Sequence, residues 1–397
     1  MTADLAAYVG DWIHLLVRWG HLIAAIGWVG TSFYFISLDL GLIPSARPGV
    51  LGEAWEIHGG GFYRIDKLRL APNPIPKTLR WFKWEAYLTW LTGFTLLVLL
   101  YYLDPYAFLI DPVVMELEPW QAVAASLALL GIGWVAYDRV ANALEARPRA
   151  QAAAVAVLVV LAVLAASALF GSRAAWIHAG ATLGTWMAAN VLFVIIPGHR
   201  ELVAAREAGR DPDARWGARG KQRSVHNNYL TLPVLFAMIS QHFPFTYGHQ
   251  LAPVVLLGLM AAGATAQHFL NLRHEGRTDR RILAGAGALA LGVAVLIAPP
   301  FAAAASAQLD PLERAEVAKV VTARCTPCHA RAPTQPGITS PPKGLVLESG
   351  DQARANARRI YQQVVVTRVM PLGNQTGMTD AERELIARWF RSGAPAP

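Results

Sequence analysis

Residues 150–170 read AQAAAVAVLVVLAVLAASALF, twenty-one positions without one Asp, Glu, Lys or Arg. At ~1.5 Å of rise per residue, a helix of that length crosses a ~30 Å hydrocarbon core. No water satisfies the backbone there, so such a segment must be helical. Seven further apolar stretches lie near 12–38, 84–103, 119–137, 174–197, 225–243, 251–271 and 282–303, and the Pro233 and Gly263 inside them are tolerated in membrane helices. The composition agrees. Of 397 residues, 54% are hydrophobic and 16% charged, with a mean hydropathy of +0.33, whereas a soluble domain is about 25% charged. The expected architecture is all-α: an eight-helix transmembrane bundle over residues 1–303 and a small all-α domain over 304–397.

The connections alternate in charge. Segments 39–80, 138–149, 199–224 and 272–281 hold twenty Lys and Arg, whereas 1–10, 104–118, 171–174 and 244–250 hold one, Arg173. By the positive-inside rule the first set is cytoplasmic, which puts the N-terminus and, after eight crossings, the C-terminal domain on the outer side. The net charge of +8 is then a topology signal facing a lipid bilayer, not a nucleic-acid footprint. The N-terminus lacks the basic start of a cleavable signal peptide. Residues 280–308 have that pattern, but internally. They read as the last crossing, which delivers the tail across the membrane, although Ala302–Gln308 would also suit cleavage.

An internal repeat is visible. Trp19-Gly-His21, with Ala24 and Gly27 after it, matches Trp176-Ile-His178 with Ala181 and Gly184, and Tyr87-Leu-Thr89 matches Tyr229-Leu-Thr231 in the same order. This pattern predicts two parallel four-helix repeats, a common membrane arrangement.

The two cysteines, Cys325 and Cys328, exclude a disulfide framework and a four-cysteine zinc site. They lie in Cys325-Thr-Pro-Cys328-His329, the C-x-x-C-H signature of covalent c-type haem attachment. The thiols add to the haem vinyl groups and His329 ligates the iron. A thioredoxin-like pair would need a βαβ context, and half a zinc site would need more ligands. The expected sixth ligand is a thioether, which raises the potential. Met370, before Pro371 and ahead of the last helix, is favoured over Met378. That helix is announced by the capping box Thr379-Asp-Ala-Glu382 and by Leu385, Ile386, Trp389 and Phe390 at helical spacing. Residues 310–324 and 351–367 supply two more helices.

Ionisable groups within a bilayer are costly and are functional candidates. Counted along their crossings, His21, His178 and His242 share a depth near the outer face, and His226 and His268 lie near the inner face. Membrane histidines often only hydrogen-bond between helices. Three at one depth nevertheless suggest a second, non-covalent haem of the b type held by two of them. At the inner face, Arg223, His226, Asn227 and Asn228 open the sixth crossing, and His58-Gly-Gly-Gly61-Phe-Tyr63-Arg64 lies on the first cytoplasmic loop. Amides and Arg forks suit the edge of a planar, purine-like ligand. The glycine run has neither the spacing nor the preceding strand of a dinucleotide fingerprint.

Taken in order, Arg18-Trp-Gly-His21, Trp55-Glu-Ile-His58-Gly-Gly-Gly-Phe-Tyr63, Trp81-Phe-Lys-Trp84-Glu85, Met187-Ala-Ala-Asn190 with Pro197-Gly-His199-Arg200, and Ser224-Val-His226-Asn-Asn-Tyr-Leu-Thr-Leu-Pro233 resemble the bacterial membrane-bound urate hydroxylases. The resemblance spans essentially the whole chain. It implies a urate oxidase membrane domain fused to a cytochrome c in the bacterial inner membrane, with the cytochrome periplasmic. It also implies oxidation of urate to 5-hydroxyisourate. Electrons would leave through the haem to a respiratory-chain acceptor, either a soluble cytochrome c or a terminal oxidase. The expected catalytic residues are His226, Asn227 and Asn228, with Arg64, Arg223 and His58 binding substrate. The alternative is a membrane-anchored cytochrome c electron-transfer subunit with no substrate of its own.

Overall fold

The computed structural model describes residues 3–72, 74–298, 310–336, 338, 340–366 and 368–397. The chain runs through α1 (Ala3–Leu40), β1 (Val50–His58), β2 (Gly61–Leu68), α2 (Trp84–Leu97), α3 (Pro105–Phe108), α4 (Pro119–Ala143), α5 (Pro148–Leu169), α6 (Ser172–Ala189), α7 (Ile196–Glu207), α8 (Ala214–Ile239), α9 (Pro244–Tyr247), α10 (Ala252–His274) and α11 (Arg280–Leu296). The tail adds α12 (Pro311–Val320), α13 (Thr326–His329), α14 (Gly350–Ala355), α15 (Ala357–Ile360) and α16 (Asp380–Arg391). A π-helical turn, Val98–Tyr102, extends α2, and another, Asn190–Ile195, joins α6 to α7.

As far as the described residues reach, each of the eight apolar stretches lies on a helix. Five helical segments are long and apolar enough to cross a membrane: Tyr8–Leu40, Pro119–Ala143, Pro148–Leu169, Ser172–Glu207 and Ala252–His274. The other three fall short for local reasons. The second helix carries Glu85, Thr89, Thr92 and Thr95; α8 begins with Arg215, Arg219, Lys221 and Arg223; and the described part of α11 is 17 residues long. Ala302–Gln308 and the expected domain boundary lie outside the described residues.

Helix starts follow the local chemistry. Pro119 fills the first turn of α4, where its missing N–H costs nothing. The side chains of Asp213 and Asp279 accept from the backbone N–H groups of Arg215 and Arg281 at α8 and α11. Helix α6 is central: Trp176, His178, Thr182, Leu183 and Trp186 are fully buried among α4, α5 and α8. By contrast, α1 turns Trp12, Leu15, Trp19, Ile23 and Ile26 outward, each at least 45% exposed. Helix α1 packs on α2, and α6 on α8, so both members of the sequence repeat pair with the helix carrying the second motif. The surroundings diverge, because Trp19 is 62% exposed and Trp176 fully buried.

The all-α expectation fails at residues 50–68, where β1 and β2 form an antiparallel hairpin. His58 pairs with Gly61 across a two-residue loop, and Gly59 and Gly60 have φ of +57° and +81°. Two successive positive φ values match a type I′ turn, which glycine adopts without strain. The glycine run is therefore a hairpin turn. Tyr34 Oη donates to Glu56 (2.9 Å), and Lys67 pairs with Asp39, tying the hairpin to the end of α1.

The tail has its own core, built from Val317, Val321, Leu347, Ile360, Ile386 and Trp389. The capping box of α16 forms as expected: Glu382 N–H donates to Thr379 Oγ1 (3.2 Å) and Thr379 N–H to Glu382 Oε2 (2.7 Å). The single helix expected over 351–367 is broken at Asn356, whose Nδ2 donates to Gln352 O (2.9 Å) while its backbone leaves the helical region (φ −109°, ψ 13°).

Close packing in the bundle rests on small residues. A Cβ built at Gly180 of α6 would lie 2.6 Å from Ala237 Cβ of α8. Gly180→Val is expected to cost ~1–3 kcal/mol through overpacking, read as a lowered unfolding midpoint in detergent. Gly131→Ala, where nothing lies within 4 Å of the new atom, serves as the neutral comparison. Equal midpoints for the two variants would refute the packing argument.

Candidate functional site

Helix α8 carries Arg223, His226, Asn227 and Asn228 into the interior of the bundle. Arg223 is 1% exposed. Its Nη2 donates to Asp138 Oδ1 (2.8 Å) and Asn142 Oδ1 (2.9 Å) on α4, and its guanidinium lies 5.2 Å from the Tyr137 ring centroid. A buried guanidinium requires such partners, because an uncompensated charge in a low dielectric is prohibitive.

One turn on, His226 has both ring nitrogens engaged. Gln151 Nε2 donates to Ala141 O (2.6 Å), so Gln151 Oε1 is left to accept from His226 Nε2–H (3.1 Å). His226 Nδ1 then accepts from the Tyr137 hydroxyl (2.8 Å), and the Tyr137 oxygen accepts from Asn190 Nδ2 (2.9 Å). The donor pattern thus sets the tautomer. Asn190 Nδ2 also donates to Asn227 Oδ1 (2.9 Å), Asn227 Nδ2 to Met187 O (3.0 Å), and Asn271 Nδ2 to Asn228 Oδ1 (2.7 Å). The polar side chains of α8 thus form a layer that braces α4 and α5 through Arg223 and His226, α6 through Asn227 and, as a separate pair, α10 through Asn228. Within it, Asn190 Oδ1, Asn228 Nδ2, Gln267 Oε1 and Arg223 Nη1 are buried and have no partner in the protein. Buried amide and guanidinium groups normally find partners; these two donors and two acceptors have none, and their residues lie behind the cavity walls described below, not on them.

Of the residues expected at this site, the structure brings together His226, Asn227, Asn228 and Arg223. Arg64 and His58 are elsewhere, on the hairpin, where Arg64 stacks on Trp55 (5.6 Å) and pairs with Asp66 (3.7 Å) and His58 is exposed beside the turn. Tyr137, Gln151 and Asn271 joined the site only in three dimensions. The available signal was a polar side chain within an apolar crossing.

Two cavities adjoin the network. One, of about 420 Å³, is lined by Trp134, Asp138, Asn142, Phe193, Val194, Trp216 and Arg219, so it lies against the oxygen partners of Arg223. The other, of about 360 Å³, lies between α1, α2, α6 and α8 and shares Met187 and Thr231 with the edge of the network. His21 and His242 line it, together with Arg18, Trp28, Trp90 and Tyr101. His21 Nδ1 lies 3.0 Å from both Thr89 O and Thr92 Oγ1 on α2, which leaves Nε2 free. His178 does not line this cavity. It is fully buried, donates through Nδ1 to Ala174 O (2.8 Å), and packs between the rings of Tyr101 (5.4 Å) and Phe170 (4.7 Å). Of the three outer histidines, His21 and His242 thus share a cavity, whereas His178, whose Nε2 is also unpartnered, is enclosed beside it.

In the tail, Cys325 ends a π-helical turn and Cys328 and His329 lie on α13. His329 Nδ1 donates to Leu345 O (3.0 Å), the bond that orients a ligating imidazole and leaves Nε2 for a metal. Burial pushes the Cys325 thiol up to about 12 and raises Cys328 as well, the reverse of a reactive thioredoxin-type thiolate. Among the described residues no three His, Cys, Asp or Glu converge on a metal position, so the zinc alternative gains no partners. Met378 is 3% exposed in the tail core, whereas Met370 packs only partly against it, with its carbonyl accepting from the buried Arg383 Nη1 (2.8 Å). Cys325, Cys328 and His329 are donors that fit a covalent haem, and both Met370 and Met378 lie at the same tail core.

No curated protein and no solved structure matches the chain. A model of the family described as urate oxidase N-terminal matches residues 7–298, a span that contains α2 to α11 and every residue of the polar network. By this match the chain is a member of the urate oxidase N-terminal family.

Proposed function

We propose that the protein is a membrane-bound urate hydroxylase that oxidises urate to 5-hydroxyisourate and passes the electrons to a fused cytochrome c. The observation that carries this reading is the buried network of α4, α5, α6, α8 and α10, with its two unpartnered donors and two unpartnered acceptors inside a urate oxidase family domain. In this reading all eight helices cross the bacterial inner membrane, and the Lys- and Arg-rich connections put the network at the cytoplasmic end and the tail in the periplasm.

The chemistry is urate plus water giving 5-hydroxyisourate, two protons and two electrons. A planar monoanion would stack on Trp134 and Phe193, whose rings are 6.0 Å apart and 30° from parallel, with Arg219, whose Nε also pairs with Glu145 (2.9 Å), offering its remaining N–H groups. Tyr137, buried one residue before the cavity-lining Asp138, would pass its proton 2.8 Å to His226 Nδ1 and regain one from the substrate. Asn227 would hold this assembly in place, and Asn190 Oδ1 and Asn228 Nδ2 are the amide atoms it leaves unpartnered. The haem, held by Cys325, Cys328, His329 and Met370, supplies a one-electron acceptor. A respiratory-chain cytochrome c or terminal oxidase receives the electrons in turn. His21 and His242, which line the same cavity from α1 and from the end of α8, are the pair that would hold a second, b-type haem.

Tyr137→Phe and His226→Gln are each expected to slow urate-driven haem reduction under argon by roughly hundredfold, with haem content unchanged. Normal rates in both would remove the network from the reaction. Wild-type protein whose spectrum does not respond to urate would favour the electron-transfer subunit. Met370→Ala is expected to abolish the far-red sulfur-to-iron band of the oxidised protein and lower its potential. Met378→Ala should keep the band while costing ~2–5 kcal/mol in tail stability, and the opposite outcome would reassign the ligand. For the second haem, acidified acetone should extract a b-type haem from wild-type protein but not from a His21→Ala, His242→Ala double variant. Active protein containing haem c alone would end that assignment.

A further inference from the structure

The tail sits against the membrane domain at one well-defined place. Leu372–Asn374, just after Met370, packs on α3. Gly373 has φ +57°, and a Cβ there would lie 2.8 Å from Tyr106 O, 3.2 Å from Ala107 O and 3.4 Å from Ile110 O. Both the backbone conformation and the space exclude a side chain, so main chain meets main chain. Val369 packs on the core of the membrane domain, and Asp111 lies within electrostatic range of Arg368 and Arg383. Arg383 is the residue that holds the Met370 carbonyl.

On the other side α3 is part of a fixed structure. Asp104 caps it by accepting from Ala107 N–H (3.2 Å), and Gly171 N–H, in the turn before α6, donates to Leu109 O (3.3 Å). The Phe108 ring lies 6.4 Å from that of Tyr101, and Tyr101 lines the cavity between α1, α2, α6 and α8. Packed groups therefore run from that cavity through Tyr101 and Phe108 to Gly373 and the Met370 loop. Trp19 of the first repeat motif, by contrast, points outward at 62% exposure.

We infer that the contact of the Leu372–Asn374 turn with the 105–110 segment is the docking face between the two domains and the port through which electrons leave the membrane domain. The inference rests on the tail being the cytochrome of the proposed enzyme. Each urate oxidised releases two electrons, so two successive one-electron transfers cross the port. Each reduces the ferric iron to ferrous, and the external acceptor reoxidises it in between. Backbone contact at Gly373 keeps the Met370 side of the haem pocket against α3 with no side chain or water layer intervening.

The test uses the full-length, haem-loaded protein and two variants, one from each side of the contact: Gly373→Val, and Asp111→Lys, which reverses the charge facing Arg368 and Arg383. The first readout is amide hydrogen exchange over 104–111 without urate, where each variant is expected to lose about tenfold of its protection. The second is haem reduction: urate-driven reduction should slow about tenfold or more while reduction by dithionite and the far-red band stay as in wild type. Unchanged protection in both variants overturns the docking face. Lost protection with an unchanged urate-driven rate overturns the port. If Gly373→Val loses the far-red band, its loop has been rebuilt, and Asp111→Lys, which leaves that loop intact, decides. Wild-type protein that urate does not reduce refutes the enzyme reading instead, and the exchange data still decide the docking.

Discussion

A guanidinium that is 1% exposed among apolar helices dictates much of what surrounds it. Arg223 cannot leave its charge bare, because the penalty for a buried, unpaired ion is several kcal/mol. Asp138 and Asn142 on α4 answer it, and the Tyr137 ring covers it. Those contacts fix the depth and rotation of α8 against α4. Once they are fixed, His226 one turn later has no freedom either: it meets Tyr137 on one side and Gln151 on the other. The amides of Asn190, Asn227, Asn228 and Asn271 extend the same bracing to α6 and α10. Such a network is costly if half satisfied and rigid if complete. Here it is complete except for a few atoms, and those atoms carry the functional reading.

The π-helical turn at Asn190–Ile195 belongs to the same economy. A wide turn shifts the side chains that follow it relative to the α-helical phase, and such turns recur at functional sites. Asn190 stands at its start and reaches both Tyr137 and Asn227, so helix irregularity and network coincide. The bundle otherwise depends on small residues, with Gly180 set against Ala237 and a Cβ at Gly258 falling 2.5 Å from Val293. Without a hydrophobic drive between helices in lipid, close backbone approach is a principal source of association. The hairpin at 50–68 departs from the helical plan because it belongs to a connection, where strands can expose their edges to water.

Two segments far apart in sequence, α3 and the Leu372–Asn374 turn, meet in space. A loop between α2 and α4 thus connects the interior of the bundle with the tail. This arrangement explains a glycine in a positive-φ turn directly after the Met370-Pro-Leu segment, for which neither the haem signature nor the last helix gave any reason.

The helices, the C-x-x-C-H motif, the cap of α16 and the urate oxidase relationship were legible in the sequence, because each depends on neighbours along the chain. Apolar length, a five-residue motif and a Thr-x-x-Glu box need no tertiary partner to be read. Arg223, His226, Asn227 and Asn228 were also legible as a cluster, since they share one helix. The hairpin was missed because its evidence, two glycines with positive φ, becomes decisive only once both strands are paired. Arg64 and His58 were assigned to the cluster by loop proximity, yet cross-strand pairing holds them on the hairpin. Tyr137, Gln151 and Asn271 come from three different helices, and the rotation of each about its own axis decides whether its polar atom faces the network or lipid. Periodicity leaves that rotation open in helices apolar on most faces. It also left His178 in register with His21, and only packing showed one enclosed by Tyr101 and Phe170 and the other on a cavity wall. Sequence determined which segments are helices and which residues can do chemistry. Tertiary structure alone decided which of those residues meet, because the buried charge and the close helix contacts set the rotations.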